Sequence, residues 1–197
     1  MALHLGTTDA ANELLERDPL AVLLGMQLDQ QIPMEKAFTS PSVLADRMGV
    51  PPGGNLDAAA IAALPAETLL EHFRTSPALH RFPGSMATRT AQLCQVLVDD
   101  WGGDAAAVWA GVGSGDELVQ RIGSLPGFGD QKARIFAALL AKRFGVTPEG
   151  WQRATGDYGK PGHRSIADVV DDASRLEVRR TKQTVKAEAK ARVAKQD

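Results

Sequence analysis

The stretch Leu125-Pro126-Gly127-Phe128-Gly129-Asp130-Gln131-Lys132-Ala133 restricts this chain more than any other. Upstream, residues 116–123 put Leu118, Val119 and Ile122 on one side of a helix. Downstream, residues 132–144 repeat apolar side chains at Ala133, Ile135, Phe136, Leu139, Leu140 and Phe144, the spacing of a helix with one buried stripe. A very short, glycine-bounded turn therefore joins two helices. Gly127 and Gly129 permit positive φ and leave backbone N–H groups pointing outward at the start of the second helix, where the macrodipole is positive. Such a nest binds anions, phosphate above all. The same residues also suit an ordinary helical hairpin, with Gly127 as C-cap, Gly129 easing the turn and Asp130 as N-cap.

Alanine, leucine and valine dominate the rest, aromatic residues make up 5%, and no alternating β-branched run occurs, so an all-helical protein is expected. At 197 residues the chain suits one large domain or two small lobes sharing a groove. The net charge of −2 hides an asymmetry, because from Arg175 onward eight Lys or Arg face only Glu177, Glu188 and Asp197. That basic end suits a polyanion, or is a solvated helix. No apolar run reaches membrane-spanning length and no basic-then-apolar leader opens the chain, so a soluble cytoplasmic protein is expected. Cys94 alone excludes a disulfide and any cysteine-ligated zinc or iron–sulfur site within one chain.

In chain order, Thr8 or Asp9 caps a first helix that stops near Asp18-Pro19, and Pro19 opens the next, expected to run to Ile32. Its end, Gln30-Gln31-Ile32-Pro33, pairs two amides that either face solvent or contact bases and fill the gap left by one that leaves the stack. Short helices are expected over residues 34–38 and 41–48, then from Asp57 to about Leu64, over 67–74, 87–101 and 104–110. His80 and Arg81 fall in an irregular passage, where they touch phosphate or are simply solvated. Beyond Phe144 come a short helix at 148–154 holding Trp151, a polar loop at 156–164 with Tyr158 and His163, and a long, sparsely apolar helix over 173–195.

The hairpin, Leu125-Pro-Gly-Phe-Gly followed by Gln131-Lys132-Ala133, resembles that of the helix-hairpin-helix/Gly-Pro-Asp superfamily of base-excision DNA glycosylases. Asp29-Gln30-Gln31-Ile32-Pro33, with Lys36-Ala37 a turn later, is similar to the Gln-Gln element of its methyladenine-glycosylase branch. Phe82-Pro83-Gly84-Ser85-Met86 before Arg89 falls where that family has a short glycine turn, and order and spacing agree from about Pro19 to Phe144.

The resemblance implies two helical lobes flanking a DNA-binding cleft: residues 19–115, then 116–172 with the N-terminal segment, and a basic C-terminal helix over 173–197. It implies a monomer acting on double-stranded DNA, associated with the nucleoid. Its contacts would be Gln30, Gln31, Arg81, Leu125, Gly127, Phe128, Gly129 and Lys132, with Trp151, Tyr158 or Phe128 free to stack on a flipped base or to be core. Hydrolysis of the N-glycosidic bond needs a carboxylate beside C1′. Asp168, which follows Ile166-Ala167 and opens a helix, is the preferred candidate, ahead of Asp157 and Glu149, and would otherwise be only an N-cap. Gln131 occupies the position of the lysine nucleophile of members with lyase activity, so a monofunctional enzyme is expected. No cofactor is implied beyond a monovalent cation at the hairpin turn. A helix-hairpin-helix DNA-binding protein that has lost the catalytic aspartate is the alternative.

Overall fold

The chain offers one-sided helical periodicity and little of the alternation a sheet needs. The computed structural model, which describes residues 3–193, is all-α, with no strand among those residues beyond an isolated bridge between Ser114 and Glu149. Helix α1 (Asp9–Arg17) starts on Thr8, whose hydroxyl accepts the Ala11 N–H, and stops before Pro19. Asp18 then caps α2 (Pro19–Leu28). The Asp18 carboxylate is buried and takes the N–H groups of Leu20 and Leu56 at 2.9 and 2.8 Å, which ties the loop around Leu56 to the α1–α2 corner.

Two expectations fail in this region. Helix α2 ends at Leu28 rather than Ile32, because Asp29 closes it and Gln31 takes a left-handed φ of 56°. Residues 34–47 form one helix, α3 (Met34–Arg47), although Pro41 removes a ladder bond. Packing holds it together. The hydroxyls of Thr39 and Ser40 donate to the carbonyls of Glu35 and Lys36, Ser40 also reaches the Leu79 carbonyl at 2.8 Å, and Phe38 lies on Gly25 of α2. A Cβ at Gly25 would sit 2.6 Å from that ring.

Helices α4 (Ala58–Ala62) and α5 (Ala66–Arg74) each pack on α6 (Pro83–Trp101). Helix α6 begins earlier than the apolar pattern suggests, with Pro83 suited to its first turn. Helix α7 (Gly115–Gly123) packs on α8 (Asp130–Phe144), and both hold α9 (Trp151–Thr155). Residues 105–108, 156–159 and 166–168 are 3-10 turns. Helix α10 (Asp172–Val193) crosses back to the start of the chain, where Arg175 donates to the His4 carbonyl; residues 194–197, the end of the expected C-terminal helix, lie outside the described residues. The N-terminal segment also bonds to α3 through Thr7 and Thr39. Buried side chains from Leu3 to Val178 form one continuous core. No helix among the described residues is long and apolar enough to cross a membrane.

One buried amide ties three of these elements together. Gln27 of α2 is fully buried; its Nε2 donates to the carbonyls of Arg89 on α6 (3.0 Å) and Pro126 in the α7–α8 turn (3.1 Å), while its Oε1 accepts from the Thr90 hydroxyl at 3.1 Å. Gln27→Leu keeps the volume and strands those three partners, so urea unfolding is expected to show a loss of about 3 kcal/mol with little change in m-value. A loss under about 0.5 kcal/mol would show that the joint is held elsewhere.

Candidate functional site

The C-terminus of α2 and the N-terminus of α8 face each other across a cleft of about 750 Å³. Asp29, Gln30 and Gln31 form one side, and Gln131, Lys132 and Arg134 the other. Residues 155–158 and Arg164 close one end, and Thr181, Lys182 and Val185 of α10 line the remaining wall.

The turn before α8 departs from the expected caps. Ser124 is the C-cap of α7, Gly127 lies within the turn at φ 87°, and Gly129, not Asp130, is the N-cap of α8. Gly127 meets two demands, since its left-handed φ excludes most side chains and a Cβ would approach Gln27 Cγ to 3.2 Å. Gly129 supplies no side-chain cap, so the first N–H groups of α8 carry no side-chain acceptor there. Asp130 is instead the first residue of α8 and pairs with Arg134 at 2.9 Å. Leu125 and Phe128 are buried, Phe128 against Phe136, so their side chains anchor the turn and are not contact side chains as expected. The carbonyls of Ile122, Leu125 and Pro126 already accept hydrogen bonds, so a monovalent cation at the turn would share oxygens with those bonds. No group of three or more His, Cys, Asp or Glu among the described residues is arranged to hold a metal ion.

Opposite the turn, Gln30 is fixed and Gln31 is strained. Gln30 donates to the Gln27 carbonyl at 3.0 Å and accepts from Arg89 at 3.1 Å. His80 is buried, so it is not the phosphate contact it was a candidate for: its Nδ1 accepts the Phe82 N–H at 3.0 Å, and its Nε2–H donates to the Gln30 carbonyl at 2.9 Å. Burial lowers its pKa, and the charges of Lys36 and Lys132 act in the same direction, so the ring is a neutral clamp on the end of α2. Gln31 is exposed and points its left-handed backbone into the cleft wall. Arg81 lies on the surface beside this clamp, its guanidinium 5.4 Å from the Phe82 ring centroid, and does not line the cleft.

Lys132 reaches across, its Nζ donating at 2.9 Å to the Gln27 carbonyl at the end of α2, a position that favours a cation. Burial nevertheless pulls its pKa down to about 8, against the attraction of Asp29. Gln131, exposed, donates to the Tyr158 hydroxyl at 2.9 Å, which brings Tyr158 into the cleft. Trp151 does not line the cleft; its backbone packs against Gly115, where a Cβ would meet it at 2.5 Å.

The preferred carboxylate is displaced. Asp168 Oδ1 pairs with Lys142 at 2.6 Å, and Oδ2 accepts the N–H groups of Arg164 and Ser165 at 2.8 and 3.1 Å. It completes a capping box with Ser165, is only 7% exposed and does not line the cleft, so its chemistry is consumed in holding residues 164–168 to α8. Glu149 is exposed away from the cleft, its carbonyl accepting the Gly115 N–H at 2.8 Å. Asp157 does line the cleft, and the hydrogen bond from Lys160 at 2.6 Å holds its carboxyl below the usual carboxylate range.

Sequence reasoning missed Asp29, Arg134, Arg164 and Lys182. Asp29 was legible as the residue preceding the paired glutamines; Lys182 was not, because only the return of α10 brings it to 3.8 Å from Asp29. Among known proteins, the chain matches no family model and no curated sequence.

Two outcomes follow. Gln31→Gly removes a left-handed Gln, so thermal unfolding is expected to rise by the equivalent of up to about 1 kcal/mol while any ligand held by the amide binds less well. Asp168→Asn removes the charge paired with Lys142, which keeps only its hydrogen bond to the Lys160 carbonyl, and is expected to destabilise by roughly 2 kcal/mol, read by chemical denaturation.

Proposed function

We propose that the protein is a monofunctional DNA glycosylase of base excision repair, hydrolysing the N-glycosidic bond of a damaged base turned out of double-stranded DNA. The observation that carries this reading is the meeting of the two stretches on which the family resemblance rests. Gln27, one turn before the paired glutamines, and Pro126 of the glycine turn are 99 residues apart and share a hydrogen bond, and Gln31, Gln131 and Lys132 line one cleft. A cavity of about 750 Å³ is of the size that small ligands occupy.

The parts divide the work. The uncapped start of α8 is suited to a backbone phosphate. The amides at the end of α2 are suited to the gap left in the stack, and the Tyr158 ring to the flipped base. Lyase chemistry has no support at Gln131, whose carboxamide forms no imine, and the Lys132 amine is engaged by the Gln27 carbonyl. The displacement of Asp168 favours a second reading, a DNA-binding protein without catalysis.

Incubation with duplexes that each carry one alkylated, deaminated or oxidised base separates the two. Release of free base from one of them, with no borohydride-trapped Lys132 adduct, is the expected result; binding without release from every duplex would leave the second reading. Lys132 adds a pH dependence. Its folded pKa of about 8 lies below the ordinary lysine value of 10.5, so the ammonium loses its proton in the fold first. Below pH 8 the cation is present for phosphate, and duplex affinity is expected to fall as pH rises through about 8. Lys132→Met should abolish that step and reduce the slope of log affinity against log salt by about one.

A further inference from the structure

The cleft contains two carboxylates, those of Asp29 and Asp157. The side chain of Asp157 is 69% exposed, so water screens it. That of Asp29 is 13% exposed. It stands at the C-terminus of α2, where the helix carbonyls add partial negative charge. Two lysines flank it from other elements: Lys182 of α10 at 3.8 Å, and Lys132 of α8, whose charge it attracts. Arg179 and Glu35, which do not line the cleft, pair with each other. The cleft is thus cationic along its walls, which suits phosphate, and has one withdrawn anionic point, which suits a cation formed within it.

We infer that Asp29 is the carboxylate that meets the sugar, stabilising the positive charge that develops at C1′ and orienting the attacking water. This rests on the glycosylase reading. In the step, the C1′–N bond breaks and its electron pair leaves with the base nitrogen, which takes a proton from solvent. The water oxygen bonds to C1′, and the proton it loses passes to the Asp29 carboxylate and then to solvent. One water is consumed, and free base and an abasic sugar result. A carboxylate shielded from bulk water acts on such a charge more strongly than an exposed one. Helix α2 would then deliver both functions through consecutive residues, the carboxylate at Asp29 and the stack-filling amides at Gln30 and Gln31.

The test compares wild type, Asp29→Asn, Asp29→Glu and Asp157→Asn by single-turnover base release on the same panel of modified duplexes, with duplex affinity measured in parallel. Asp29→Asn is expected to slow release at least ~100-fold, the scale of losing one preorganised electrostatic group. Its affinity should stay within about threefold, under a kcal/mol by the usual conversion. Asp29→Glu, which keeps the charge, should recover part of the rate, and this separates chemistry from misfolding. Wild-type release matched by Asp29→Asn, or lost in Asp157→Asn instead, would overturn the assignment while leaving the glycosylase reading intact. A rate loss in Asp29→Asn matched by lost affinity, with no recovery by glutamate, would make Asp29 structural. Absence of release from every duplex by wild type would overturn the reading and the assignment together.

Discussion

A buried amide on α2 decides where the rest of the molecule sits. Gln27 is fully buried, and an amide so placed costs several kcal/mol unless its hydrogen bonds are made. The partners that satisfy it are the Arg89 and Pro126 carbonyls and the Thr90 hydroxyl, so α6 and the α7–α8 turn are fixed at one distance from α2. The Gln27 backbone carbonyl meanwhile receives Gln30 and Lys132. One residue therefore sets both the scaffold of the cleft and the position of its central cation, which explains why Gly127, in contact with Gln27, has to be small.

The electrostatics follow from two helix ends brought face to face. The end of α2 is negative and the start of α8 positive, and an ammonium bridges them at Lys132. Burial makes that ammonium easier to deprotonate, whereas Asp29 opposes the loss. His80 completes the arrangement by remaining neutral, since a charged ring there would have to lose its acceptance of the Phe82 N–H. The left-handed Gln31 is the local cost of ending α2 abruptly at Asp29, and it lies where the cleft is lined rather than where the core is packed.

How much of the site was legible depended on the range of the forces involved. Gly127, Gly129 and the apolar stripe of α8 announced a turn between helices because backbone conformation and periodicity are local properties. Gln30, Gln31, Gln131, Lys132 and Asp157 were all named from sequence and share the cleft. Asp168 was favoured because it follows apolar residues at the start of a helical turn, yet the same features describe a capping box, and Lys142 on α8 completes its bonding. Asp29 was read only as the residue opening the Gln-Gln element and not as a site carboxylate, because the helix was expected to continue through it and its place in the cleft depends on where α2 stops. Pro41 misled in the opposite direction, since the packing of Phe38 on Gly25 outweighs the lost ladder bond.

By itself the sequence determined the all-helical class, most of the helices, the helix starts at Thr8 or Asp9, Pro19 and Asp57, and the turn at Gly127, because each rests on spacing or on a side chain bonding to its own neighbourhood. Tertiary structure alone decided where α2 stops, that α3 runs through its proline, that Phe128 and Leu125 are core, that α10 lines a cleft, and which carboxylate stands inside it. Those outcomes depend on partners far away in the chain, and a residue's burial and charge environment exist only once the partners have been brought to it.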